Sequence, residues 1–215
     1  SRLGFAWQVE TGTNRGMQAT PVVVDGVMYT SGVAGRVYAL DAATGKSLWR
    51  FEPHVDFKNA RSACCDIVNR GVSVWNGKVY VATFDGILYS LDARDGKVLW
   101  QADTIADRTR AYSVTGAPQV AGKVVVIGNG GAEYDSRGYV TAYDLETGKQ
   151  AWRFYTVPRD PKLGPEGAAS DSIMAKALET WHGTDWDRGG GGNAWDAFNY
   201  DPETNLVYFG TANGA

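Results

Sequence analysis

Residues 35–51 read GRVYALDAATGKSLWRF, and the same order of residue types returns twice, as GILYSLDARDGKVLWQA over 86–102 and GYVTAYDLETGKQAWRF over 138–154. Asp41, Asp92 and Asp144 hold one equivalent place and Trp49, Trp100 and Trp152 another, which sets a period of 51 to 52 residues. Repeats of that length belong to propeller blades or helical arrays. Apolar and polar residues alternate within the unit, as in half-buried strands. Asp25-Gly26, Asn76-Gly77, Gly45, Gly96 and Gly148 fall where hairpin turns need positive φ. Each unit therefore reads as four short strands, in the first instance TPVVVDG, VMYTSG, RVYALDA and SLWRF. The expected fold is all-β: a β-propeller of four-stranded antiparallel blades, with the recurring tryptophans wedged between neighbouring blades.

Composition agrees with such a fold and removes some functions. The chain has 215 residues, 44% of them hydrophobic and 21% charged, with a formal charge of -3. That is the profile of a globular chain rather than a disordered or strongly basic one, so no nucleic-acid partner is expected. No apolar stretch is long enough for a membrane helix, and the opening SRLGFAWQVE lacks the basic-then-apolar layout of a signal peptide. Leu3–Thr11 (LGFAWQVET) reads as the closing strand of one blade, and the segment from Trp195 onward supplies two strands of a fourth unit. Residues 1–215 are thus expected to be a partial propeller domain, cut within a blade at both ends, with strand edges exposed.

Chemistry is expected where the chain departs from its repeat. Cys64 and Cys65 are adjacent. Neighbouring Cα atoms lie about 3.8 Å apart, closer than ordinary disulfides allow, so the pair reads either as a strained eight-membered ring or as two free thiols. Zinc is disfavoured, because His54 and His182 do not complete a structural-site spacing. The stretch GNGGAEYDSRG, 128–138, sets Glu133 among glycines; it reads as a hairpin or as a place where oxygens converge on a hard cation. RGGGGNAW, 188–195, permits close approach of a flat ligand or of another backbone. With no Lys-Ser/Thr after it, it is not a nucleotide phosphate loop. Trp195 then reads as an exposed stacking platform or as another core wedge. Asn213, in the terminal GTANG, offers an amide oxygen or caps a turn.

Taken in order, TPVVVDGVMY, CCDIVNRG, VTGAPQV, GNGGAEY, GGGGNAW and FGTANG closely resemble the pyrroloquinoline quinone (PQQ)-dependent alcohol dehydrogenases, especially the periplasmic quinoprotein and quinohaemoprotein ethanol dehydrogenases. The resemblance spans essentially the whole chain and implies about four blades of an eight-bladed propeller with the quinone at its centre. It implies that Cys64 and Cys65 form a vicinal disulfide over one face of the quinone, while Trp195 stacks on the other. Arg70, Thr115, Gly130, Gly131 and Ala132 would hold the cofactor's oxygens and carboxylates, with Asn193 nearby where Thr is common. Glu133 and Asn213 would ligate Ca²⁺, and Gln18 stands where the family commonly has Glu.

The implied reaction is oxidation of a primary or secondary alcohol by hydride transfer to the quinone, with Ca²⁺ as Lewis acid. Electrons would pass to cytochrome c, or to haem c if a C-terminal haem domain exists, and the location would be periplasmic. The family's catalytic Asp is expected beyond residue 215, and Asp66, Asp135 and Asp196 are expected to be structural. Two alternatives stay open: a non-catalytic propeller serving as scaffold or binding module, and a homologue using a lanthanide in place of Ca²⁺.

Overall fold

A computed structural model describes residues 3–58, 60–62, 65–183 and 186–214, leaving aside the side chains of Ser62 and Asp187. Three sheets of four antiparallel strands follow one another along the chain. The first holds β1 (Val22–Val24), β2 (Val27–Ser31), β3 (Val37–Asp41) and β4 (Ser47–Phe51). The second holds β5 (Ser73–Trp75), β6 (Lys78–Ala82), β7 (Ile87–Asp92) and β8 (Val98–Asp103). The third holds β9 (Gln119–Ala121), β10 (Val124–Gly128), β11 (Tyr139–Asp144) and β12 (Gln150–Tyr155). A hairpin of β13 (Phe198–Asp201) and β14 (Leu206–Phe209) comes last. Strand order within each full sheet equals chain order, and β1 lies beside β5, β5 beside β9 and β9 beside β13. First strands gathered side by side are what blades around an axis require.

The core is divided into layers between successive sheets. On β6, Val79 and Val81 face back to Tyr29, Val37 and Ala39 of the first sheet, while Tyr80 and Ala82 face forward to Val125, Ile127 and Tyr143 of the third. That split is the two-residue period of a strand buried on both faces. A third layer joins Val126, Val140 and Ala142 to Ala194, Phe198 and Tyr200.

The repeated segment, D-x-x-T-G-K at Asp41 and Asp144 and D-x-x-D-G-K at Asp92, is the joint between blades. Oδ1 of Asp41 accepts from the Thr44 backbone N–H at 2.8 Å and from its hydroxyl at 2.7 Å, and Asp144 does the same for Thr147 at 2.8 Å in each case. These bonds hold both carboxyls below the usual carboxylate range. The preceding blade's indole then lies across the turn glycine. Trp49 Nε1 donates to the Ala93 carbonyl at 2.9 Å, and Trp100 Nε1 to the Leu145 carbonyl at 3.0 Å. The expected wedge is therefore a hydrogen-bonded dock.

Two expectations change. Leu3–Thr11 forms no strand, because strand structure exists only through ladder pairing and no described segment runs alongside it. Trp7 nevertheless docks on the first blade, with Nε1 3.2 Å from the Ala42 carbonyl. The all-strand reading also missed a helix, α1 (Asp171–Leu178), in the insertion between β12 and β13. It carries none of the propeller's strands.

The dock can be separated from simple backbone strain. Gly96 and Gly77 both have φ of +73°, but a Cβ on Gly96 would fall 2.6 Å from the Trp49 ring, whereas one on Gly77 would meet nothing within 4 Å. Gly96→Ala should destabilise the full-length protein by about 1–3 kcal/mol more than Gly77→Ala, as read by denaturant unfolding. Equal losses would mean that the ring does not rest there.

Candidate functional site

Five segments meet at the blade tops around one cavity of about 430 Å³. The loop before β5 brings Cys65, Asp66 and Arg70, and the segment before β9 brings Ser113 and Thr115. Gly130, Gly131, Ala132 and Glu133 follow β10, Asn193 and Trp195 precede β13, and Thr211, Ala212 and Asn213 follow β14. Ten of the residues singled out from sequence thus share one cavity. Gln18 does not: it is exposed and does not line the cavity, in an arm whose nearby tie is the Thr20 N–H to the Arg70 carbonyl at 3.3 Å. Cys64, and with it the Cys64–Cys65 bridge, lies outside the described residues.

Backbone packed on backbone positions this wall. All four residues Gly189–Gly192 have positive φ, and they lay the chain against the third blade rather than opening a slot for a ligand. Gly138 N–H donates to the Gly191 carbonyl at 2.7 Å, and Gly191 N–H to the Ser136 carbonyl at 3.2 Å. A Cβ on Gly138 would sit 2.2 Å from the Gly192 carbonyl oxygen, and one on Gly128 2.1 Å from that of Ala194. No other residue type fits either place. The far side is held by Gly192 N–H to the Asn213 carbonyl at 3.0 Å and Ala212 N–H to the Asn193 carbonyl at 2.8 Å. The run of glycines therefore fixes Asn193, Trp195 and Asn213 against the loop that carries Glu133.

Beneath this strip, Arg137 and Glu166 form a largely buried two-point ion pair, with Arg159 3.8 Å from the same carboxylate. Both N···O distances are 2.8 Å, and the side chains are only 12% and 11% exposed. The guanidinium also donates to the Val157 carbonyl at 2.9–3.0 Å and lies 3.8 Å from the centre of the Tyr155 ring. The pair ties the insertion that carries α1 to the segment just before β11.

Polarity in the cavity is uneven. Arg70 Nη1 donates to the Thr115 hydroxyl at 2.5 Å, and its guanidinium carbon lies 4.7 Å from the centre of the Trp195 ring. Asp196 reaches only to 4.0 Å from Arg70 Nε. Burial pulls Arg70 below the usual guanidinium value, with Asp196 opposing. A partly desolvated cation so weakly paired favours an anionic ligand. Trp195 is 42% exposed and lines the cavity, in keeping with a stacking platform rather than a core wedge. Glu133 and Asn213 bring oxygens to the same rim, and a smaller cavity on whose wall Asp135 lies shares both. Among the described residues no group of three or more His, Cys, Asp or Glu could hold a metal by itself. A cation held by these two side chains would need further oxygens from a ligand.

Sequence reasoning missed Ser113, Thr211 and Ala212 as cavity residues. Ser113 shows only through its bridge to Gly130, and the other two flank the GTANG asparagine that was read. Asp66, expected to be structural, lines the cavity while pairing with Arg15. Asp196 comes within 4.0 Å of Arg70, and Asp135 gives its backbone carbonyl to Arg110 at 2.6 Å while lining the smaller cavity.

A family model described as the β-propeller domain of PQQ glucose/ethanol/alcohol dehydrogenases matches residues 1–215. The chain belongs to the PQQ-dependent alcohol dehydrogenase family. It is 56% identical over 215 residues to quinohemoprotein alcohol dehydrogenase ADH-IIG of Pseudomonas putida, covering 100% of this chain and 29% of that protein. The solved structure of ADHIIG from Pseudomonas putida HK5 superposes with a TM-score of 0.93 at 57% identity, covering 99% of this chain and 31% of that one. A europium-containing methanol dehydrogenase superposes at 0.84 with 37% identity, covering 100% of this chain and 38% of that one. The chain thus spans under a third of the length of ADH-IIG. The blades and their order are those of a PQQ propeller.

Removing one partner of the buried pair leaves the other charge uncompensated. Glu166→Ala should cost the full-length protein about 3–5 kcal/mol, measured by denaturant unfolding. A loss under about 1 kcal/mol, as for an exposed pair, would show that Arg137 finds compensation elsewhere.

Proposed function

We propose that the full-length protein oxidises primary or secondary alcohols to aldehydes or ketones, using a PQQ held in the cavity between Trp195 and the cysteine loop. The observation that carries this reading is the gathering of Arg70, Thr115, Glu133, Asn193, Trp195 and Asn213, six residues singled out by motif, around one cavity. A scaffold propeller would have no use for that set.

The donor set suits the group. PQQ is flat and carries three carboxylates, so it calls for a cation, hydroxyl donors and flat walls. Arg70 and the Thr115 hydroxyl bind its anionic rim, and Gly130, Gly131 and Ala132 let it approach their backbone. Trp195 forms one wall. Cys64 and Cys65, bridged, form the other, which suits the periplasm, an oxidising compartment. Glu133 and Asn213 hold Ca²⁺, or a lanthanide as the europium-containing relative suggests, and the bound ligand completes the oxygens these two cannot supply. When bound, PQQ supplies the acceptor for the hydride leaving the alcohol's carbinol carbon, and the cation supplies Lewis acidity at its edge. Trp195 and the cysteine wall exclude water, and Arg70 keeps the ring in register. Cytochrome c, or a haem c of the same protein, would accept the electrons, in line with a relative named as a quinohemoprotein.

Two measurements test this reading. Denatured without reductant, the full-length protein should show no free thiol from Cys64 or Cys65; titration of two thiols would remove the bridge. Glu133→Ala should abolish metal-dependent uptake of PQQ, followed by absorbance during reconstitution. Unchanged uptake would take Glu133 out of the metal site.

A further inference from the structure

Asn193 is completely buried, and its carboxamide is only half satisfied. Nδ2 donates to the Gly130 carbonyl at 3.2 Å and to Ser136 Oγ at 2.9 Å. A carbonyl only accepts, so the nitrogen must face Gly130 and the oxygen must be the free end. That oxygen, Oδ1, has no hydrogen-bond partner, and the residue lines the cavity. A buried acceptor left unpaired is costly, which points to a donor supplied by the ligand.

The oxidised quinone is rich in acceptors: three carboxylates, two quinone carbonyls and a pyridine nitrogen, with its pyrrole N–H as the one ring donor. Two electrons and two protons, both supplied by the alcohol in the proposed reaction, turn the two quinone carbonyls into two hydroxyls, each a donor. Asn193 is tied through its backbone carbonyl to Ala212 N–H, one residue from Asn213, and lines the cavity together with Asn213 and Glu133; a cation held by those two would draw the quinone oxygens to this end. Resting on the PQQ reading above, we infer that Asn193 is a redox-selective residue: its free carboxamide oxygen accepts from a hydroxyl of the reduced cofactor and so favours the reduced form. Arg70, a donor only, and the Thr115 hydroxyl, whose oxygen already accepts from Arg70, turn donors to the anionic rim and do not discriminate in this way.

The experiment compares dissociation constants of the full-length, metal-loaded protein for oxidised and reduced PQQ under anaerobic conditions, by calorimetry or tryptophan quenching. Asn193→Ala should weaken the reduced form about tenfold more than the oxidised one, which lowers the bound cofactor's two-electron midpoint potential by about 30 mV. Ser136→Ala, which removes an amide partner but leaves the oxygen, should keep the ratio of the two constants unchanged. Should Asn193→Ala fail to fold, Asn193→Ser keeps a donor for the Gly130 carbonyl, shortens the acceptor arm and reads the same ratio. Equal weakening of both forms would overturn the inference and leave Asn193 a positioning residue, and no weakening of either would remove it from the site. Failure of the unmutated protein to bind either form would instead sink the PQQ reading itself.

Discussion

The site depends on one steric permission: two backbones can lie in contact only where the side chain between them is a hydrogen. Gly128 and Gly138 grant it on the third blade, where any Cβ would collide with the Ala194 and Gly192 carbonyls. Through that contact Asn193 and Trp195 reach the cavity from a segment that belongs to the next blade. Glu133 and Asn213 are held by the same strip, since Gly192 bonds Asn213 on one side while Gly191 bonds Ser136 on the other. A site assembled from five segments of a repeat protein needs such a strip, because each blade packs mainly against its neighbours and fixes little beyond them.

The blade-to-blade dock is the complementary device. Its indole both buries apolar area and satisfies its own N–H on a carbonyl of the next blade, so each blade is oriented as well as attached. These joints fix how each blade sits on the next. The Arg137–Glu166 pair does for the insertion what tryptophans do for the blades. It pins a segment whose one α-helix is short and has no buried residue.

Period and turn chemistry made the blades legible in sequence, since an Asp, a Gly and a Trp recur at fixed places for reasons that can be stated one residue at a time. The cavity was legible as a set of departures from that period, and ten of those residues converge. What stayed hidden arises from contacts between distant segments. Nothing around Glu166 announces a buried partner 29 residues earlier, and the purpose of the four glycines shows only when the Ser136–Gly138 backbone lies against them. The arm carrying Gln18 was placed by analogy alone, and Leu3–Thr11 has no ladder although Trp7 docks just as the strand-borne Trp49 does.

The polarity of the cavity differs from one wall to the other. The wall from the second and third blades, with Arg70 and Thr115, presents donors and positive potential, whereas the strip held by the glycines presents oxygens: Asn193 Oδ1, Asn213 and Glu133 nearby. A ligand that is anionic along one edge and binds a cation or offers protons at another satisfies both walls at once. One without that asymmetry leaves either a desolvated guanidinium or a buried carboxamide oxygen unmatched, a penalty of about 1–3 kcal/mol or more for each group. Discrimination in this cavity therefore comes as much from what is left unpaired by the wrong ligand as from what is gained by the right one.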